Sequence, residues 1–327
     1  MKQTSFEQHN RPHWERFTEQ LLSLEQPKAK AADTTLFTQD YRRLCQHLAL
    51  ARQRGYSTHL VDSLQHLAMR GHRQLYRRRG QFLAHLAAFI LADFPRQVRQ
   101  HWPFVLTATL LFMGSLLLTG CLVYQFPDLI YAIVDPEQVR AMENMYDPDR
   151  SRLGPASERL AGDDWMMFGY YIMNNIGIAF QTFASGLLLG LGSLFFLLFN
   201  GLGIGAVAGH LSEIGYRQTF FSFVVGHGAF ELTAIVLAGA AGLRLGWALL
   251  APGPLTRGEA LKRAAQASLQ LVYGVLLMLV IAAFIEAYWS ARTSVSSTVK
   301  FAVGAALWLL VLSYLTLAGR QVRDAPV

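Results

Sequence analysis

Two side chains of this protein are placed for proton or ion chemistry. His227 and Glu231 stand four residues apart in Gly226-His227-Gly228-Ala229-Phe230-Glu231, a spacing that stacks them on one helix face. At 1.5 Å rise per residue, Glu231 lies about 18 Å from a helix start near residue 219, close to mid-membrane if that helix crosses a bilayer. An ionisable group at that depth costs roughly 2.5–3.5 kcal/mol on insertion scales and turns toward the protein interior. A neutral or protonated Glu231 can hydrogen-bond the imidazole. The pair fits a proton or ion relay, or a docking point for a partner helix. It also fits a pair that satisfies itself and a polar neighbour. The spacing is not His-Glu-x-x-His, and no third ligand is evident. No metal and no cofactor are therefore expected, and the chain reads as a non-enzyme, with an intramembrane hydrolase as the third reading.

Other polar groups share the apolar stretches: Asn174, Asn175, Gln181, Asn200 and Glu286. Asn175, His227, Glu231 and Glu286 fall in the outer half of the bilayer or near its midplane, where they can line one cavity open to the outside. For the amides the plainer reading is interhelical hydrogen bonding, worth about 0.6 kcal/mol on average. Glycines repeat at intervals of four, Gly186 with Gly190, then Gly201, Gly205 and Gly209, a pattern extended by Gly239 and Gly242. Small residues so spaced let helices approach closely in lipid. The pattern suits packing within the chain, a homo-oligomer seam, or a broken helix at a substrate site.

The elements that must carry these groups are membrane helices. From Met166 to Gly209 there is no Asp, Glu, Lys or Arg in 44 residues, enough for two spans of about 20 residues. Hydrophobic residues make up 52% of the 327 and charged residues only 16%, against about 25% charged in ordinary globular domains. The sequence predicts spans at 103–126, 168–190, 193–211, 219–245, 265–289 and 301–319, with the second and third divided near Gly192. One full span plus a re-entrant or broken segment is the alternative for that pair. Residues 1–102 carry a net charge of +8 and residues 127–165 a net charge of −5. The positive-inside rule then puts both termini in the cytoplasm and the acidic loop outside. Arg244, Arg257, Lys262 and Arg263 mark a cytoplasmic loop. Trp165, Tyr170 and Tyr171 mark an interface. The expected place is the plasma (inner) membrane of a bacterium, or its archaeal equivalent, without a secretory signal.

Residues 1–102 read as a basic helical cytoplasmic domain. Pro12 suits the first turn of a helix running to about Gln26. A second helix places Phe37, Tyr41, Leu44 and Leu48 on one face and ends at Gly55. A third starts at Ser57 or Thr58, and a fourth runs from Phe82 to Phe94. Arg70, Arg73, Arg77, Arg78 and Arg79 cluster with His72. Such a cluster attracts anionic lipid at about 1 kcal/mol per charge, contacts a partner, or is simply solvated. No recognised module points to nucleic acid. Cys45 and Cys121 are too few for a disulfide framework. Phosphate-binding and Gly-x-Ser-x-Gly signatures are absent, so any energy coupling would come from another subunit.

Four stretches together resemble the stage II sporulation protein M family: Phe221 to Gly242, Asn174-Asn175, Asn200-Gly201 before the glycine repeat, and Phe284 to Ser290. The likeness covers about residues 100–320. It implies a polytopic all-α membrane fold and a non-enzymatic scaffold, since the sporulation member anchors peptidoglycan hydrolases during engulfment. Relatives outside spore-formers sit beside MoxR-type ATPases, which makes such an ATPase and cell-envelope membrane proteins the implied partners. The chain departs from the sporulation member in its basic N-terminal domain and at His227-Gly228. The expected function is a membrane scaffold or anchor; the alternative is a proton-coupled transporter or channel built on His227 and Glu231.

Overall fold

The computed structural model describes residues 2–25, 34–149, 153–154 and 163–320; the side chains of residues 34–35, 76–82 and 163 lie outside that description. The described residues are helical, with no strand, and form two compact units, residues 1–88 and 89–327.

The first unit holds α1 (Gln3–Glu25), α2 (Thr34–Gln53) and α3 (Thr58–Ala88). Its core is the set of apolar faces read from the sequence: Phe37 and Leu44 from α2 meet Leu60 and Leu64 from α3 and Phe6, Phe17 and Leu21 from α1. Phe17 and Phe37 stack with ring centroids 5.1 Å apart. Two expectations change. Pro12 is interior to α1 rather than in its first turn, because Phe6 packs into the core against Trp14 and Tyr56 and draws the preceding turns into the helix. The third and fourth predicted helices merge, since α3 runs unbroken to Ala88 and a π turn, Phe89–Asp93, leads to α4 (Phe94–Gln100). No proline interrupts residues 58–88.

The second unit continues with α5 (Trp102–Gln125), α6 (Ile130–Ile133), α7 (Pro136–Tyr146), α8 (Asp163–Ala184), α9 (Leu191–Glu213), α10 (Arg217–Leu250), α11 (Arg257–Ile285) and α12 (Ser297–Leu317). Among the described residues, five helices are long and apolar enough to cross a membrane: α5, α9, α10, α12, and α11 taken with the π turn Glu286–Ser290 that extends it. Helix α8 stands where the sequence predicts the second span, 168–190. It has 22 residues, but Asn174, Asn175 and Gln181 dilute its apolarity. Large apolar side chains such as Leu110, Leu117, Leu309 and Leu310 remain exposed on α5 and α12. Lipid, not water, is the medium that tolerates them.

Helix α10 is the axis. It packs against α5, α8, α9, α11 and α12, and 61% of its most apolar window is buried. Its 34 residues reach about 51 Å, so Arg244, read as a loop marker, instead belongs to the helix. The turn between α8 and α9 comes at Ser185–Gly190, just before the predicted division. Gly190 has φ +84° and Leu189 φ 54°, a left-handed backbone that glycine adopts freely and leucine rarely does.

The glycines at four-residue spacing are used inside the chain. A Cβ on Gly201 would meet Ser115 Oγ at 2.0 Å, one on Gly205 the Leu116 carbonyl at 2.3 Å, and one on Gly209 the Gly120 carbonyl at 2.4 Å, all on α5. A Cβ on Gly186 would sit 2.2 Å from the Gly242 carbonyl of α10, and Gly190 faces Gly246. Gly205→Leu should therefore force α5 and α9 apart, at a cost on the order of 3 kcal/mol. Gly114→Leu, on the same helix pair but with nothing within 4 Å, should change little. Thermal unfolding of both variants in detergent checks the difference; equal midpoints contradict the packing.

The first unit carries a pH dependence. Trp14 Nε1 donates to His47 Nδ1 at 3.2 Å, a bond that needs an unprotonated acceptor. Burial, then His13 and Arg43, holds the His47 imidazole below its usual 6.5. Below about pH 6.5 the unfolded chain takes up a proton that the folded unit refuses, so stability is lost as pH falls through that range. Melting of the full chain followed by Trp14-reporting fluorescence should show this loss, and His47→Gln should reduce it.

Candidate functional site

The centre of the site is a polar cluster inside the second unit. His227 and Glu231 come from α10 at the predicted one-turn stacking, with His227 Nε2 3.9 Å from Glu231 Oε2. Glu286, the first residue of the π turn after α11, joins them: one donor atom from each of the three lies within 4.8 Å of the others. A π turn widens the helix locally and is frequent at functional sites; here it carries both Glu286 and Ser290. His227 and Glu286 are 5% and 8% exposed.

The surroundings hold the cluster in place. His227 Nδ1 is hydrogen-bonded to Ser290 Oγ at 3.0 Å, which leaves Nε2 as the ring nitrogen that faces the carboxylates. Lys300, at the start of α12 and 2% exposed, donates from Nζ to the Ser290 carbonyl at 2.8 Å. Phe223 packs edge-on to the imidazole with centroids 5.3 Å apart. Asn175 on α8 is 3% exposed and lies alongside Glu231. Its Nδ2 and Glu231 Oε2 are nevertheless buried atoms that complete no hydrogen bond among the described residues. Asn175 Oδ1 accepts from Asn174 Nδ2 at 3.0 Å.

A cavity of about 380 Å³ reaches this cluster. Asn200, His227, Glu231 and Glu286 line it, together with Gln138, Met142 and Tyr146 of α7. Helix α7 is fixed over the bundle by Asp135, whose side chain caps it at Glu137 N, and by Glu143 paired with His210 of α9 at 2.8 Å. Thr219 of α10 donates to the Tyr146 carbonyl at 2.6 Å. Burial, with Glu286 nearby, pushes the Tyr146 phenol well above its ordinary range, so it reaches the cavity as a neutral hydroxyl.

Of the polar residues singled out in the sequence, His227, Glu231, Glu286 and Asn175 are brought together. Asn200 lines the same cavity, although its amide donates along its own helix to the Phe196 carbonyl at 2.7 Å. Ser290, Lys300 and Tyr146 join the site without having been singled out. Lys300 had one signal, a lysine at the mouth of an apolar span; Ser290 had only its place at the end of the Phe284–Ser290 stretch, and Tyr146 had none. Of the five arginines of the basic cluster, the side chains of Arg70 and Arg73 are described. Arg70 Nη2 and Nε grip the Glu25 carboxylate at 2.7 and 3.2 Å, and that bond holds the Glu25 carboxyl below its ordinary range. Arg73 is exposed. The side chains of Arg77, Arg78 and Arg79 lie outside the described residues.

Fold and site define a polytopic all-α membrane protein with a polar centre. Residues 104–291 match the model of a family described as stage II sporulation protein M. The match spans more than half of the chain, which belongs to that family. Residues 4–77 match a separate family described as a domain of unknown function (DUF8413), so the chain joins this second module to the membrane domain. A curated relative is an uncharacterized protein of Methanocaldococcus jannaschii, MJ0793, 28% identical over 128 residues that cover 37% of this chain and 69% of the relative. No solved structure matches.

Proposed function

We propose that the membrane domain binds and carries a small cation through the cavity that ends at His227, Glu231 and Glu286. The observation that carries this reading is the convergence of three ionisable side chains, from α10 and the π turn after α11, within 4.8 Å inside an apolar bundle. Packing alone does not call for such a group. Each member raises the cost of insertion, and intramembrane ionisable residues mark ion and proton pathways. The cavity gives the cation a polar route past Gln138 and Tyr146. On this reading both termini and the first unit are cytoplasmic, α7 lies outside, and the membrane is the plasma membrane, as the charge asymmetry of the sequence favours.

A second reading, a scaffold for cell-envelope proteins, is favoured by the first unit. That unit has its own core and its own family match, which suits a docking module for a cytoplasmic partner such as a MoxR-type ATPase. The glycine rows give the scaffold reading less support than their spacing suggests, because they pack within the chain.

Purified protein in liposomes separates the two readings. Carriage predicts cation or proton uptake above empty vesicles, reduced at least tenfold in Glu231→Gln and Glu286→Gln chains that retain the wild-type melting midpoint. Uptake equal to empty vesicles, with envelope proteins co-purifying from native membranes, would favour the scaffold.

A further inference from the structure

We infer that the cation held at this centre is a divalent first-row transition metal ion, bound by His227 Nε2 and by one carboxylate oxygen each of Glu231 and Glu286. The inference rests on the reading that this centre takes a cation, and it names which one. The expectation from sequence was no metal, because a third ligand was not evident; the fold supplies it across 55 residues of chain, from Glu231 to Glu286.

The donor set is one imidazole nitrogen and two carboxylates. Imidazole selects for zinc, iron, copper or nickel over magnesium and calcium, while carboxylates accept manganese, iron and zinc. Metal–nitrogen and metal–oxygen bonds of about 2.0–2.2 Å put neighbouring donors of a tetrahedral site about 3.4 Å apart. The 3.9 Å between His227 Nε2 and Glu231 Oε2 is wider by roughly half an ångström on that measure, and the 4.8 Å limit of the trio closes by carboxylate rotation. Three protein ligands leave a coordination position free, and the cavity reaches all three ligands.

Three further observations point to a ligand rather than to a self-satisfied cluster. The imidazole is already oriented: Nδ1 is held by Ser290 Oγ, in a turn that Lys300 ties at the Ser290 carbonyl, so Nε2 faces the carboxylates, and the tautomer in which Nδ1–H donates to Ser290 presents its lone pair there. Metal-bound histidines are oriented by such outer partners. Next, two polar atoms at the cluster, Glu231 Oε2 and Asn175 Nδ2, are buried and complete no hydrogen bond among the described residues. An ion would take the oxygen's lone pair, and Asn175, 3% exposed, is placed to steady the carboxylate it draws in. Last, two carboxylates this close in an apolar bundle either hold a proton or need positive charge between them. Lys300 supplies one charge from behind Ser290, and a divalent ion meets the rest.

The test uses the full chain, purified in detergent, stripped with a chelator and dialysed against Zn2+ or Mn2+. Bound metal is counted by mass spectrometry, and affinity is read by calorimetry. The expected result is one ion per chain, a melting midpoint raised by several degrees, and at least a tenfold loss of affinity in His227→Ala and Glu286→Gln. Asn200→Ala, which alters the cavity but removes no ligand, should keep the ion. A chain with His9→Ala, His13→Ala and His47→Ala should also keep it, which excludes those three histidines of the first unit. If a site variant fails to fold, X-ray absorption of the wild-type protein decides, with only nitrogen and oxygen donors at about 2.0–2.2 Å expected. No bound ion in the wild type, sulfur donors, or loss of the ion in the His9, His13 and His47 variant overturns the inference. Proton uptake by a metal-free chain would overturn it while leaving the carrier reading intact. One bound ion with no uptake would do the reverse.

Discussion

Helix α10 can run through the middle of the membrane domain because its neighbours come to backbone distance. Gly242 and Gly246 meet Gly186 and Gly190 at the turn between α8 and α9, and Gly239 receives the side chain of Leu197. On the far side of α9, Gly201, Gly205 and Gly209 bring α5 just as close. In lipid no hydrophobic force draws helices together, so van der Waals contact at small residues does that work. The fold is thereby fixed tightly around one axis, and the polar side chains of that axis must find partners among the helices packed on it.

That constraint explains the shape of the polar centre. His227 and Glu231 point away from lipid because α10 is enclosed, and α11 answers them by opening into a π turn at Glu286–Ser290. The turn places a carboxylate and a hydroxyl on the same side. Lys300 then ties α12 to that turn through the Ser290 carbonyl. The same three helices that enclose the cluster therefore also orient it. Helix α7, pinned by Glu143 to His210, covers the cavity with a polar and aromatic face. A site of this kind has rigid walls, a fixed imidazole and a carboxylate oxygen that completes no hydrogen bond among the described residues.

Much of this was legible in the sequence, and the parts that were not have physical causes. The His227–Glu231 pair follows from helical spacing within an apolar run. The long helices follow from hydropathy and charge, with α8 the weakest because Asn174, Asn175 and Gln181 dilute its apolarity. The glycine spacing announced close packing but not the partner, which depends on how helices cross. Glu286 was visible as a polar group in an apolar span, yet its meeting with His227 depends on α10 and α11 packing together. Lys300 stood out only as a lysine at the mouth of an apolar span, and Ser290 only as the end of the Phe284–Ser290 stretch; neither pattern told which side chains they meet. In the first unit, Pro12 misled as a helix start, because the packing of Phe6 outweighed the preference of proline for the first turn.

The claim on which the account turns is that His227 and Glu286, on different elements, form one energetic unit inside the bundle. A double-mutant cycle with His227→Ala and Glu286→Gln, read as unfolding free energy in detergent, measures it directly. The account predicts that the two changes are coupled by about 1 kcal/mol or more, as for residues in one network. Additivity within about 0.5 kcal/mol, the behaviour of distant and independent sites, would contradict it.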